Sequence, residues 1–150
     1  MKKILALVGL LLVVWFARNE FAGQRPDTAS PSATTVEADA GAEAIAKAFE
    51  QQAGNVEVTG AGVVVKVLPD DTSGSPHQRF LLELPSGQTV LVAHNIDLAP
   101  RVPDLSTGDT VEFHGIYEWN PKGGVIHWTH GDPAGHHEAG WLRHDGQTYQ

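Results

Sequence analysis

Side chains able to do chemistry are crowded into one stretch, Tyr117 to His137, YEWNPKGGVIHWTHGDPAGHH, which holds two of the four Trp and four of the eight His in the chain. There is no Cys among the 150 residues, so thiolate nucleophiles, disulfides and cysteine zinc sites are excluded. Any metal must be held by imidazole and carboxylate, a donor set that suits zinc or another first-row transition ion.

Spacing defines two candidate ligand groups. His127 and His130 lie three apart, which on a regular strand sends them to opposite faces, so HWTH alone is not a chelating pair. His127 with His114 and either Glu112 or Glu118 would share the outer face of a hairpin. The second group is His130, Asp132 and His136 or His137, gathered by the Gly131/Pro133/Gly135 turn. An ion with an open position would lower the pKa of bound water toward about 7, with Glu118, Glu138 or Asp132 as base in a hydrolysis. The plain alternative is that these His are satisfied by hydrogen bonds.

A binding module is the competing class. Trp119, Trp141, Tyr117 and Tyr149 can stack on sugar rings or bases, with Asn120, Lys122 and Arg101 as polar partners; Trp119, beside the Asn120-Pro121 loop, is the ring expected at the surface. Arg101 has a second reading, as the ion-pair partner of Asp97 or Asp104. No G-x-S-x-G and no phosphate-cradling glycine loop is present, so enzyme and binding module both remain open. Net charge is −8, and from Val56 onward Lys66, Arg79, Arg101, Lys122 and Arg143 face twelve Asp and Glu. That acidic body disfavours nucleic acid as a partner.

The elements that must position these residues follow from pattern. Lys2 and Lys3 precede an unbroken apolar run from Ile4 to Ala17, shorter than the roughly 20 residues of a full membrane span. Residues 1–18 therefore read as a signal peptide or, since Trp15, Phe16 and Arg18 resemble an interfacial belt, as an uncleaved N-terminal anchor. Either places the body in the periplasm or elsewhere outside the cytoplasm. Residues 19–38, rich in Pro, Ser, Thr and Ala, read as a flexible linker. A short amphipathic helix is expected over 39–53, capped by Asp39, with Ile45 and Phe49 on its apolar stripe.

From Val56 the period becomes two. VEVTGAGVVVKVL predicts a long first strand with Val63, Val65 and Val67 on one face and a bend at Gly60/Gly62. Asp70 and Asp71 sit in a turn cluster and are read as turn formers. Folding about Ser86 sets Phe80 opposite Val92, Leu82 opposite Val90 and Gln78 opposite His94, with His77 close by. Asn95 to Thr107 is a Pro-containing connection. Closing the Asn120–Gly123 loop pairs Tyr117 with Ile126, Gly115 with Trp128 and Phe113 with His130, which puts Glu112, His114, Glu118, His127 and Thr129 outside. Trp141, Leu142 and Tyr149 anchor a tail that packs back on the body. Five strands over residues 56–150 predict an all-β fold, a small OB-like barrel.

The strings VVVKVLPDD, HQRFLLEL, GQTVLVAHNIDLAPRV, GDTVEFHGIYEWNPKGGVIHWTH and GWLRHDGQTYQ resemble a bacterial family, the domain of unknown function 3465, over roughly Glu43 to Gln150. The resemblance implies a small exported bacterial protein and supplies no activity. The expected function is thus an exported, OB-type binding module, secreted or membrane-tethered. It would take a small or polymeric extracytoplasmic ligand at the strand 4–5 hairpin and the His-rich segment after it. A metal-dependent hydrolase of phosphodiesterase type at the same place, and a structural envelope protein that binds another protein, are the alternatives.

Overall fold

A computed structural model describes residues 32–136 and 138–150, which form one helix and seven strands. The expected leader or anchor at 1–18, the linker as far as residue 31, and His137 lie outside the described residues. Among the described residues no helix is long and apolar enough to cross a membrane.

Strand β1 (Val56–Asp71) bends and serves two neighbours. Its first half, Val56 to Val63, runs antiparallel to β4 (Thr110–Glu118), and from Val63 onward it pairs with β2 (His77–Glu83). Gly60 and Gly62 lie at this change of partner, as the glycine break predicts: a Cβ on Gly60 would come within 2.9 Å of the Phe113 ring, and one on Gly62 within 2.8 Å of the Glu83 carbonyl. β3 (Thr89–Asn95) continues from β2, and β5 (Val125–His127) lies parallel to β3 and antiparallel to β4. The order β1-β2-β3-β5-β4, with β4 returning to β1, closes a ring of five strands.

The inner face of the ring is the core. Phe80 pairs with Val92 and Leu82 with Val90, the register the sequence predicts, and all four are buried together with Val64, Val111, Phe113, Tyr117 and Ile126. Each such side chain contributes roughly 1.5–3 kcal/mol of gross hydrophobic stabilisation. Val63, Val65 and Val67 do not join them; each is about two-fifths exposed, while Val64 between them is fully buried.

Two expected pairings give way. Tyr117 does pair with Ile126, but β5 ends at His127, because Trp128 turns into the left-handed region at φ +55°. Gly115 therefore lies under Thr129 and the His127 carbonyl rather than under Trp128. Phe113 pairs with Leu142 of β6 (Trp141–His144), not with His130. β6 takes over the edge of β4 where β5 leaves it, and with β7 (Gln147–Tyr149) it forms a hairpin that sends Leu142 and Tyr149 into the core.

Helix α1 (Ala33–Glu50) begins further toward the N-terminus than Asp39, in residues the composition assigned to the linker. Ser32 occupies its N-cap position, and the alternate alanines that follow favour helix. Gly41, Ala42, Ile45 and Ala48 are its buried stripe. Gly41 is needed there: a Cβ would stand 2.1 Å from the Thr59 carbonyl.

Candidate functional site

The outer face of β2 and β3 carries a cleft of about 340 Å³ lined by Leu68, Leu81, Leu91 and the β4–β5 loop residues Asn120, Pro121, Lys122 and Gly124. Leu81 and Leu91 are direct cross-strand partners, and all three leucines are half-buried although they point away from the core. Lys66 stands opposite Leu81, and Arg79 opposite Leu68, so both share this face. Three of the five Lys and Arg beyond Val56, namely Lys66, Arg79 and Lys122, thus border one apolar patch on an acidic body.

The loop over the cleft is built rather than loose. Asn120 Oδ1 accepts the backbone N–H groups of Lys122 (2.9 Å) and Gly124 (3.3 Å), so Asn120 shapes the turn and its carbonyl group is spent there. Gly124, at φ +94°, lies flat on the Tyr117 ring, where a Cβ would fall 2.2 Å from the nearest ring atom. The Tyr117 hydroxyl donates to the Gly123 carbonyl at 3.2 Å, and burial raises its pKa above the ordinary value.

Further along β3 a second hollow, about 310 Å³, is lined by Ala93, Asn95, His77, Leu98, His127, Trp128 and His130. Leu91, Ala93 and Asn95 alternate along one outward-facing row, so the two hollows lie at successive positions of one strand. The β4–β5 loop borders one end of this row, and the start of the His-rich segment borders the other.

The expected aromatic platform is not on this face. Trp119 is half-buried against the core, with its Nε1 buried and unpartnered among the described residues. Trp141 lies across the molecule's β4–β6 side, stacked on His114 at 6.1 Å and covered by Arg143 at 4.8 Å. Arg101 is paired with Asp70, and not with Asp97 or Asp104. Asp71 behaves as the turn former expected, accepting the Ser73 N–H at 2.9 Å; that bond draws its carboxyl pKa down.

Each proposed metal group comes together only in part among the described residues: His136 Nδ1 lies 3.9 Å from Asp132 Oδ2, while His137 lies outside the described residues. His114 and Glu118 share a face but are four residues apart, about 13 Å along a strand. Glu112 is held by Arg143 at 2.8 Å, and His127 lies 4.0 Å from Glu118. In the second group Asp132 is a turn cap: its two oxygens accept the N–H groups of Ala134 (2.9 Å) and His136 (2.5 Å). His130 is buried, with Nδ1 donating to the Gly131 carbonyl at 2.7 Å. The structure instead brings His114 together with Glu57 and Glu138, whose candidate ligand atoms all lie within 4.8 Å of one another.

Several of the remaining histidines are structural. His94 is fully buried, its Nε2 donating to the Pro100 carbonyl at 3.0 Å, which leaves Nδ1 to accept from the Thr129 hydroxyl at 2.8 Å. Burial lowers its pKa, and both of its nitrogens are engaged. His144, which no sequence motif marks, is buried with Nε2 at 3.2 Å from Asp109.

A family model described as "Protein of unknown function (DUF3465)" matches residues 29–150. The chain belongs to the DUF3465 family. The match takes in the whole helix, the five-strand ring and the terminal hairpin of this DUF3465 protein. No curated protein matches the chain.

Proposed function

We propose that the chain is an exported, OB-type binding module whose leucine cleft takes an aliphatic ligand bearing an anionic group. The strand order β1-β2-β3-β5-β4 with parallel β3 and β5 supports an OB-type barrel, and in that fold the face of strands 2 and 3 with the loop between strands 4 and 5 is the usual ligand surface. The observation that carries the reading is the juxtaposition of Leu68, Leu81 and Leu91 under the Asn120–Gly124 loop. Half-exposed leucines converging in a concave site favour an apolar occupant. Lys122, with Lys66 and Arg79 on the same face, selects a negative head group in an otherwise acidic protein. Rings for stacking on bases or sugars do not line this cleft, which turns the expected polymeric or small ligand toward an amphiphile.

Export rests on the apolar run Ile4–Ala17 behind Lys2 and Lys3, which either releases the domain or holds it at the membrane. A ligand of lipid-like chemistry suits both cases. The experiment is calorimetric titration with decanoate and, as the charge-reversed control, decyltrimethylammonium. Saturable binding of the carboxylate alone, lost in Leu81→Asp and weakened in Lys122→Glu, is the result expected; equal binding of both amphiphiles, or an unchanged Leu81→Asp variant, contradicts it. Among the described residues, the metal-dependent hydrolase draws its support from the Glu57, His114 and Glu138 group on the other side of the ring.

A further inference from the structure

We propose that Glu57, His114 and Glu138 form a binding site for a divalent first-row transition ion of the zinc class. The site lies on the outer face of β1 and β4, away from the leucine cleft, and is independent of the ligand proposed for that cleft.

The imidazole is the fixed point. His114 is 8% exposed, and its Nε2 faces Glu57 Oε1 at 3.8 Å, beyond hydrogen-bonding range. An imidazole nitrogen that faces a carboxylate without bonding it leaves room for an ion between the two. Two ligand atoms about 2.0–2.1 Å from one tetrahedral ion are roughly 3.3 Å apart. Separations up to 4.8 Å among the three ligand atoms close to that value by small rotations of the two glutamate side chains.

The opposite side of the ring is held as metal-binding histidines usually are. His114 Nδ1 is 2.7 Å from the Thr59 hydroxyl, its cross-strand neighbour, which fixes the ring plane and leaves Nε2 for an ion. The Trp141 ring stacks on it at 6.1 Å with an interplanar angle of 24°. Glu138 is delivered by the segment entering β6: Gly140 donates its N–H to the His130 carbonyl at 3.0 Å, and it packs so closely that a Cβ would stand 1.8 Å from the Trp128 carbonyl and 2.9 Å from that of His114.

Charge points the same way. Two carboxylates converge on one imidazole in a protein of net charge −8, and neither Glu57 nor Glu138 has a Lys or Arg partner within 4.0 Å among the described residues. A divalent ion offsets both. One imidazole and two carboxylates select zinc, cobalt, nickel or manganese over calcium, which favours all-oxygen sites. Glu57 and Glu138 are exposed, so a water completes the coordination on the solvent side.

The test uses the full chain, purified without a polyhistidine tag and stripped with chelator, then titrated with Co²⁺ and Zn²⁺ while visible absorption and heat are followed. One equivalent per chain is expected, with cobalt d–d bands that zinc displaces. Glu57→Gln and Glu138→Gln, both at exposed side chains, should each weaken that equivalent by more than about tenfold, and Thr59→Val, acting through the ring, by about tenfold. His136→Ala should leave it intact. Absence of a stoichiometric site, or a site that survives Glu57→Gln with Glu138→Gln and disappears with His136→Ala, overturns the proposal. A nitrogen NMR shift of His114 Nε2 on adding zinc, with none at His127, identifies the ligand directly; the reverse pattern refutes it.

Discussion

The side chain of Gln78 holds the backbone of Val102 as a neighbouring strand would: its Nε2 donates to the Val102 carbonyl at 2.9 Å, and its Oε1 accepts the Val102 N–H at 3.0 Å. Both residues are buried, and the pair fastens the Pro-containing connection between β3 and β4 over one end of the ring. Gln78→Leu keeps the volume and removes both partners. Each backbone group left unpaired costs about 1–3 kcal/mol, so urea unfolding should show a stability loss well above the ~0.5 kcal/mol scatter of surface substitutions. A loss within that scatter would mean water or a shifted loop satisfies Val102.

His94 does the same work beside it and makes stability depend on pH. Its pKa in the folded protein lies below the ordinary 6.5 because burial disfavours the imidazolium. The unfolded chain therefore takes up a proton that the folded chain refuses, and stability falls as pH drops from about 6.5 toward the folded pKa, with a slope of at most ~1.4 kcal/mol per pH unit. His94→Gln should flatten that part of the stability profile relative to wild type. Parallel profiles for the two proteins would show that His94 does not carry the effect.

Gly124 and Gly87 separate two costs of adding a methyl group. Both have positive φ, +94° and +80°, but only Gly124 faces an obstacle, the buried Tyr117 ring at 2.2 Å. Gly87→Ala should cost about 1–2 kcal/mol from backbone conformation alone. Gly124→Ala adds overpacking of about 1–3 kcal/mol, and it should also shift the Tyr117 ring signals. Equal losses in the two variants would show that the β4–β5 loop moves freely off the ring.

Much of this was legible in the sequence, and the limit has a physical cause. Phe80 with Val92, Leu82 with Val90 and Tyr117 with Ile126 follow from alternation and loop length, because a short hairpin fixes its own register. The pairing of Tyr117 failed to predict that of Gly115, because a single left-handed residue, Trp128, ends β5 and no local signal marks it. Glu57 escaped notice for a different reason. It meets His114 only because β1 closes onto β4, a contact between residues 57 positions apart that periodicity cannot report. His130 and His136 are conspicuous by spacing, yet spacing does not report that His130 Nδ1 donates to the adjacent Gly131 carbonyl or that the His136 backbone N–H caps onto Asp132.

The leucine cleft is the centre of the functional account, and amide NMR during titration with decanoate tests it most directly. The account predicts saturable shifts confined to Leu68, Leu81, Leu91 and the Lys122–Gly124 segment, with little change at Glu57, His114 and Trp141, and their loss in Leu81→Asp. Shifts that centre on Trp141 and His114, or no shifts at all as decanoate is raised, would contradict it.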